Sequence, residues 1–241
     1  MLAIVLFLET GHQFAKRRSK KGGSFAVSPL LQGAIFALMG LLIGFTFSGA
    51  GSRFDARRQL TGEEANAIGT AYLRIDMLPP DAQPQMRDLF RQYVDARLAA
   101  YQKLPDKKAA IVELERSAAL QSEIWKLAVS SSQRTQTTAA SMLLLPAINA
   151  MIDVTTTQTV AAETHPPGVL WVMLLGVTFA CAFIAGHSID QASRSWIDIL
   201  CFAVIFTLAL YVVADLEYPR WGLIQIHSTD HVLEDLRNTM K

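Results

Sequence analysis

A charged run follows directly on a long apolar segment, and it holds the side chains best placed to do chemistry. It comprises three arginines, Arg53, Arg57 and Arg58, with Asp55 among them and Glu64 and Asn66 shortly after. A guanidinium binds a carboxylate through two parallel hydrogen bonds, which would hold helices together. If several copies met at a pore mouth, the same groups would attract anions. Acids and bases nearly balance here, which favours the structural alternative, but the sequence leaves both open.

Motifs of the common enzyme and metal sites are missing from the sequence. It contains no glycine-rich phosphate loop, zinc-binding helix motif or serine nucleophile motif. His231, Glu234 and Asp235 share one helical face, but a terminal acidic helix is more typical of a solvated surface than of a metal site. Cys181 and Cys201 lie in apolar runs without metal-ligand spacing. We therefore expect no enzyme activity, no metal site and no cofactor.

The segments around these residues are apolar enough to lie in a membrane. Hydrophobic residues make up 51% of the 241 residues, charged residues 18%, and the mean hydropathy is +0.26. Three segments reach the roughly 20 apolar residues that cross a bilayer: Pro29 to Ala50, Gly168 to Gly186 and Trp196 to Ala214. The net charge of +1 provides no field that would attract nucleic acid, so we expect the lipid bilayer as a partner and no nucleic acid.

The chain divides at these apolar segments. Residues 1–50 are predicted to form two membrane helices, a partial one at 1–14 and a span at 29–50, with the basic run Lys16 to Lys21 between them. The apolar stretch precedes the basic run, which is the reverse of a signal peptide. We expect an extramembrane helical domain at 51–167, two transmembrane helices at 168–214, and a C-terminal tail with a short helix at 215–241.

The predicted extramembrane domain is helical in period, and no strand pattern occurs, so we expect an all-α fold. Thr61 and Glu64 have the spacing of a capping box, which predicts a helix that starts there and ends before Pro79. Apolar residues then recur at steps of three and four along two further helices. The first stripe is Met86, Leu89, Phe90, Tyr93, Val94, Leu98 and Tyr101, and the second is Ile111, Leu114, Ala118, Trp125 and Val129. A fourth helix is predicted from Met142 to Thr164.

Two rows of residues run side by side along the first span. Gly40, Gly44 and Ser48 form a stripe of small side chains, which lets helix backbones approach closely. Ala37, Leu41 and Phe45 repeat with the same step on the adjacent face. Ordinary helix packing explains the glycine stripe by itself, whereas the two rows together suit several copies of one helix around an axis.

These residues resemble the bestrophin-like family of bacterial membrane proteins, distant relatives of the bestrophin anion channels. The resemblance covers nearly the whole chain. Its motifs are TFSGAGSRFDARR at Thr46 to Arg58, EANAIGTAYLRIDMLP at Glu64 to Pro79, LLPAINAMID at Leu144 to Asp153, and DLEYPRWGLI at Asp215 to Ile224. Ile43, Gly44 and Phe45 also resemble the Leu-Gly-Phe of true bestrophins.

The resemblance implies a homo-oligomer, a pentamer, in which the 29–50 helix lines a central pore for small inorganic anions such as chloride. Ala37, Leu41 and Phe45 would be the neck, where hydrophobic rings gate by dewetting. Ala37 departs from the bulky residue that bestrophins have there. The location would be the bacterial inner membrane. The distribution of Lys and Arg weakly places the helical domain outside the cell, whereas the resemblance places it in the cytoplasm, so the orientation stays open.

A second function class is compatible with the same sequence. A non-conducting membrane scaffold or sensor would bind a partner protein through its helical domain. The apolar surfaces around Phe90, Tyr93 and Trp125 would then serve as the interface. Packing of helices within the domain explains the same surfaces.

Overall fold

Every regular element that the structure describes is helical, which confirms the all-α prediction. The computed structural model describes residues 1–20, 27–104, 106–134, 138, 140–189, 195–218, 222–224 and 227–240, except the side chains of 227–230. Lys21 of the basic run and residues 219–221 of the DLEYPRWGLI motif lie outside this set. The helices are α1 (Leu2–Ser19), α2 (Pro29–Leu73), α3 (Gln83–Lys103), α4 (Lys107–Arg134), α5 (Leu145–Glu163), α6 (Gly168–Ser188), α7 (Trp196–Glu217) and α8 (His227–Thr239). A 3₁₀ turn covers Arg74–Met77, and a π-helical turn covers Ala140–Leu144.

The chain forms two compact units. The first unit comprises Met1–Ser52 and His165–Glu217, and the second comprises Arg53–Thr164 and Tyr218–Lys241. Helix α2 begins in the first unit and ends in the second. The C-terminal segment belongs to the second unit, where Leu233 is fully buried.

Three helices in the described part of the chain are long and apolar enough to cross a membrane, as predicted. They are α2, α6 and α7, which contain the three predicted apolar segments. Pro29 opens α2 and lacks the N–H that a first helical turn leaves unpaired. At the start of α7, the Ser195 hydroxyl accepts a hydrogen bond from the Asp198 N–H, the arrangement of an N-cap.

Helix α1 packs closely on α6 in the first unit. A Cβ at Gly11 would lie 2.1 Å from the Phe183 carbonyl oxygen, and a Cβ at Gly186 would lie 1.9 Å from the Leu8 carbonyl oxygen. Only glycine allows backbones to come so close. The Phe7 and Phe179 rings stack beside this contact, with centroids 4.6 Å apart. The partial N-terminal membrane helix predicted at 1–14 is therefore a helix of 18 residues held against α6.

Helix α2 packs antiparallel to α6 through one face. Met39 is buried with Leu174 and Cys181, and the Thr178 hydroxyl lies 3.7 Å from the Met39 sulfur. The same hydroxyl donates to the Leu174 carbonyl oxygen at 2.7 Å, so its hydrogen is paired although the side chain is fully buried. Helix α7 joins the same core. These contacts fix which face of the first half of α2 is turned inward.

The predicted break before Thr61 is wrong, because α2 continues without interruption from Pro29 to Leu73. The Thr61 hydroxyl donates to the carbonyl oxygen of Arg57, one turn earlier in the same helix, and does not cap a new one. A capping box and two residues one turn apart inside a helix have the same spacing. The sequence pattern therefore matched both arrangements.

The core of the second unit is built from the end of α2 with α3, α4, α5 and α8. Its largest fully buried side chains include Ile68, Phe90, Tyr93, Ile124 and Met151. The apolar stripe predicted along α3 is confirmed, since its members are buried in this core or packed against it. Because Phe90 and Tyr93 are fully buried in the chain itself, they provide no surface to a partner protein.

The apolar stripe predicted along α4 is not its buried face. Ile111 is 51% exposed, Leu114 39% and Trp125 37%, and Ala118 is also exposed. The face that packs on the core instead contains Ser117, Leu120, Gln121, Ile124 and Ala128. The Gln121 amide donates to the Tyr93 hydroxyl and to Thr155, both at 3.1 Å, which makes its burial tolerable.

Candidate functional site

The predicted neck residues lie on the face of α2 that is turned away from its packing contacts in the first unit. Leu41 is 55% exposed and Phe45 68%, and Ala37 is exposed too. Met39, which points the opposite way, is 1% exposed. Residues spaced by four stay on one helical face, so the row is continuous.

The predicted glycine stripe shares this outward face. Gly40 and Gly44 have no atom within 4 Å of an added Cβ, and the same holds for Gly33 two turns before Gly40. Ser48 is exposed at the end of the stripe. These small residues therefore serve no packing contact within the described part of the chain, in contrast to Gly11 and Gly186.

Arg57 of the predicted charge cluster holds the end of α5. Its Nε donates to the Ala161 carbonyl oxygen at 3.1 Å, and its Nη2 donates to the Thr164 carbonyl oxygen at 3.0 Å. Helix α5 ends at Glu163, so these carbonyls have no amide from a following helical turn. A cation at this end also interacts favourably with the helix dipole. Arg57 thus has a structural role.

The remaining members of the cluster are spread around α2. Asp55, Arg58 and Asn66 are exposed, and Arg53 is half-buried. The Arg58 guanidinium lies 5.8 Å from the centroid of the Phe54 ring, a cation–π contact one turn apart on the helix. The charge cluster therefore does not form one compact site within a single chain.

Glu64 lies apart from the other members, in a buried polar network that joins three helices. Its Oε1 accepts from Arg97 Nε on α3 at 2.5 Å. Its Oε2 accepts from the Tyr101 hydroxyl and from the Gln158 amide on α5, both at 2.8 Å. Gln158 Nε2 also lies 3.1 Å from the Leu60 carbonyl oxygen. Every oxygen of the carboxylate is thus paired, as a buried charge requires.

Arg97 carries a full charge inside this network. It is 5% exposed, and burial opposes its ionisation. The Tyr101 hydroxyl and the Glu64 carboxylate outweigh that penalty and leave the pKa of Arg97 above its ordinary value. Burial also opposes the ionisation of the neighbouring Tyr93, and for this acidic hydroxyl it raises the pKa. The network is therefore an ion pair, and Tyr93 is a neutral member of its surroundings.

Sequence reasoning did not find Arg97, Tyr101 and Gln158 as partners of Glu64. Arg97 and Tyr101 are one turn apart, and Tyr101 was assigned only to the apolar stripe of α3. An arginine between apolar residues of an amphipathic face is the signal that could have indicated a buried charge, because a buried cation needs a carboxylate partner. Nothing in the spacing identified which carboxylate that is.

These helices, with long apolar segments and a helical unit that holds a buried ion pair, define a helical membrane protein. A family model, the Bestrophin-like domain, matches residues 2–230. The chain belongs to the Bestrophin-like domain family, which is a family of channels.

Solved structures support the same fold. One is a bacterial bestrophin homolog from Klebsiella pneumoniae that was solved by Zn-SAD phasing; it is 15% identical, with 98% of this chain and 97% of that chain covered and a TM-score of 0.74. A point mutant of the Klebsiella pneumoniae homolog is 14% identical, with 99% and 96% covered and a TM-score of 0.76. No curated protein matches. At these identities the likeness defines the fold.

Proposed function

We propose that this protein is an oligomeric anion channel, and that the 29–50 part of α2 lines its pore. The observation that carries the proposal is the outward face of α2, where Ala37, Leu41 and Phe45 run beside Gly40 and Gly44 without a packing partner in the described chain. Family membership provides the class of protein, and this face provides the place for a pore.

Small residues distinguish this face from one that only meets lipid. Gly33, Ala37, Gly40, Gly44 and Ser48 add little apolar area toward a bilayer, but they let α2 helices of neighbouring copies come close. Close approach around an axis would bring Leu41 and Phe45 of all copies together. We expect a homopentamer, as the family resemblance implies.

The neck would gate by dewetting, and anions would pass it partly dehydrated. Rings of Leu41 and Phe45 present no hydrogen-bonding groups to a passing ion, so a weakly hydrated anion crosses more easily than a strongly hydrated cation. The ring at Ala37 would be wider, because its side chain is a single methyl group. Phe45 is then the narrowest position of this row.

Two arginines of the cluster would attract anions near the pore. Arg57 is occupied by the carbonyls at the end of α5 and Glu64 by Arg97. Arg58 is exposed and Arg53 half-buried, so these two, with the exposed Asp55 and Asn66, would set the field that an approaching anion meets. In this proposal, residues 51–167 lie outside the bilayer, and the protein crosses the bacterial inner membrane several times.

The test is conduction by the purified full-length protein. Liposomes with verified insertion should release chloride above the background of empty liposomes, and mass photometry at low protein concentration should show a species of about five copies. A monomer, or intact insertion without chloride flux, would overturn the proposal. Flux of potassium in place of chloride would overturn its anion selectivity.

A further inference from the structure

The exposed face of α4 has the residues that a second copy of the same helix would fit. We propose that α4 of one chain packs antiparallel on α4 of a second chain through Ile111, Leu114, Ala118, Ser122, Trp125 and Val129. This contact goes beyond the proposed conduction and does not depend on it.

The first step of the argument is the exposure of this face. Ile111, Leu114 and Trp125 are each more than a third exposed, and Ala118 and Ser122 between them are exposed as well, while Val129 at the end of the face is half-buried. The face lies in the second unit, outside the three helices suited to a bilayer. Contiguous apolar surface of this kind on a water-exposed helix marks a contact with another protein.

The second step is the order of side-chain sizes along the face. Large apolar residues stand at both ends, and the small residues Ala118 and Ser122 stand in the middle. If two α4 helices pack antiparallel with their two-fold axis level with residue 120, Ile111 lies level with Val129 of the second copy and Ala118 with Ser122. Leu114 then lies within one residue of the level of Trp125, close enough for these two long side chains to touch. Each contact occurs twice, as a two-fold interface requires. The small centre lets the two helices approach closely.

The third step is charge. Glu115 and Lys126 lie on the same flank of the face, and both are exposed. In the antiparallel arrangement Glu115 of one copy meets Lys126 of the other, again twice. Neither side chain has an ion-pair partner among the residues that the structure describes. In a parallel two-fold pair the flanks that carry Glu115 would lie on opposite sides of the interface, so Glu115 and Lys126 would not meet.

The size of the interface sets its strength. Two helices in contact over about five turns bury on the order of 1,000 Å², which is typical of a weak or transient association. A two-fold contact also does not fit between neighbours in a ring built by one rotation, so it joins copies from two separate rings. Association should therefore depend on protein concentration.

Cysteine cross-linking in the full-length protein tests the register. Cys181→Ala and Cys201→Ser remove the native thiols, and chains with Ala118→Cys and a different tag are mixed with chains carrying Ser122→Cys. We expect the mixed disulfide to form at least about fivefold faster than between two A118C chains or between A118C and a Ser130→Cys chain. Ser130 is exposed on α4 but lies off the face. The arrangement would be wrong if A118C formed a disulfide with S130C as fast as with S122C, or if two A118C chains reacted faster than the A118C and S122C mixture.

Charge reversal tests the pairing without relying on the thiol-free background. Glu115→Lys and Lys126→Glu should each reduce paired assemblies by about fivefold, because each creates two like-charge contacts. The double variant E115K/K126E in one chain should restore them. Sedimentation velocity of the detergent-solubilised protein, over a concentration series that reaches micromolar protein, measures the species of twice the basic mass. Absence of that species, no loss in the single variants, or no recovery in the double variant would overturn the proposal. Chloride flux, measured in parallel, separates this result from the fate of the proposed channel.

Discussion

Glu64 and Arg97 form a buried ion pair, with Glu64 fully buried and the two side chains 2.5 Å apart. The pair joins α2 to α3, and Gln158 adds α5. Removal of one member would leave the other charge buried without its partner, which costs far more than the pair contributes over an apolar replacement.

Arg97→Met should destabilise the second unit by about 3–5 kcal/mol, because Glu64 then remains buried as an unpaired carboxylate. Thermal unfolding of the detergent-solubilised protein measures the change. Arg134→Met is the matched control. Arg134 pairs with Asp81 at 2.8 Å, but both side chains are more than half exposed. That loss should stay below about 1 kcal/mol, and equal effects of the two variants would contradict the network's role.

Gly186→Ala should separate α1 from α6, because the new Cβ would lie 1.9 Å from the Leu8 carbonyl oxygen. We expect a loss of about 1–3 kcal/mol, as for other overpacked contacts. Gly176→Ala on the same helix is the control, since no atom lies within 4 Å of its Cβ. A protease-accessibility assay on α1 reports the separation. The prediction is wrong if α1 is as resistant to the protease in both variants as in the unmodified protein.

Phe45→Ala should raise chloride conductance severalfold, because it widens the narrowest hydrophobic ring of the proposed neck. Single-channel recording in planar bilayers measures it. Phe47→Ala makes the same change two residues later, on another side of α2, where Phe47 is 49% exposed. It should leave conductance near the unmodified value. The proposed neck would be wrong if Phe47→Ala had the larger effect.

Arg57→Gln should change the stability of the protein, whereas Arg58→Gln should change its ion selectivity. Arg57→Gln removes the donors to Ala161 and Thr164, and should lower stability by about 1–2 kcal/mol. Arg58→Gln removes an exposed charge, so we expect little change in unfolding and a lower ratio of chloride to sodium permeability. Unfolding curves and reversal potentials measure the two effects. If only Arg57→Gln changed the selectivity, Arg57 and not Arg58 would be the arginine that attracts anions.

Gly44→Leu should weaken the oligomer without unfolding the chain. No described atom lies near its Cβ within the chain, whereas a bulky side chain would keep neighbouring α2 helices apart. Mass photometry should show smaller species while helical circular dichroism is unchanged. An intact oligomer would mean that the glycine stripe faces lipid.

The amino-acid sequence by itself determined the number of long apolar helices and the all-α class. Runs such as Gly168 to Gly186 are long enough to cross a bilayer whatever surrounds them. The sequence also determined the buried face of α3, because Phe90 and Tyr93 alternate with polar residues that must face water. Local composition was sufficient wherever apolar and polar residues contrast along one element.

Tertiary structure alone decided which faces meet. In the first half of α2 nearly every residue is apolar, so the periodicity carries no contrast, and only packing against Leu174 turns Met39 inward and Phe45 outward. On α4 the buried face includes the polar side chain of Gln121, whose amide finds hydrogen-bond partners in Tyr93 and Thr155. The apolar stripe of α4 therefore lies on the opposite, exposed side. Partners of Glu64 come from helices more than thirty residues away along the chain. Local spacing contains no information on such contacts, because they depend on where other helices lie.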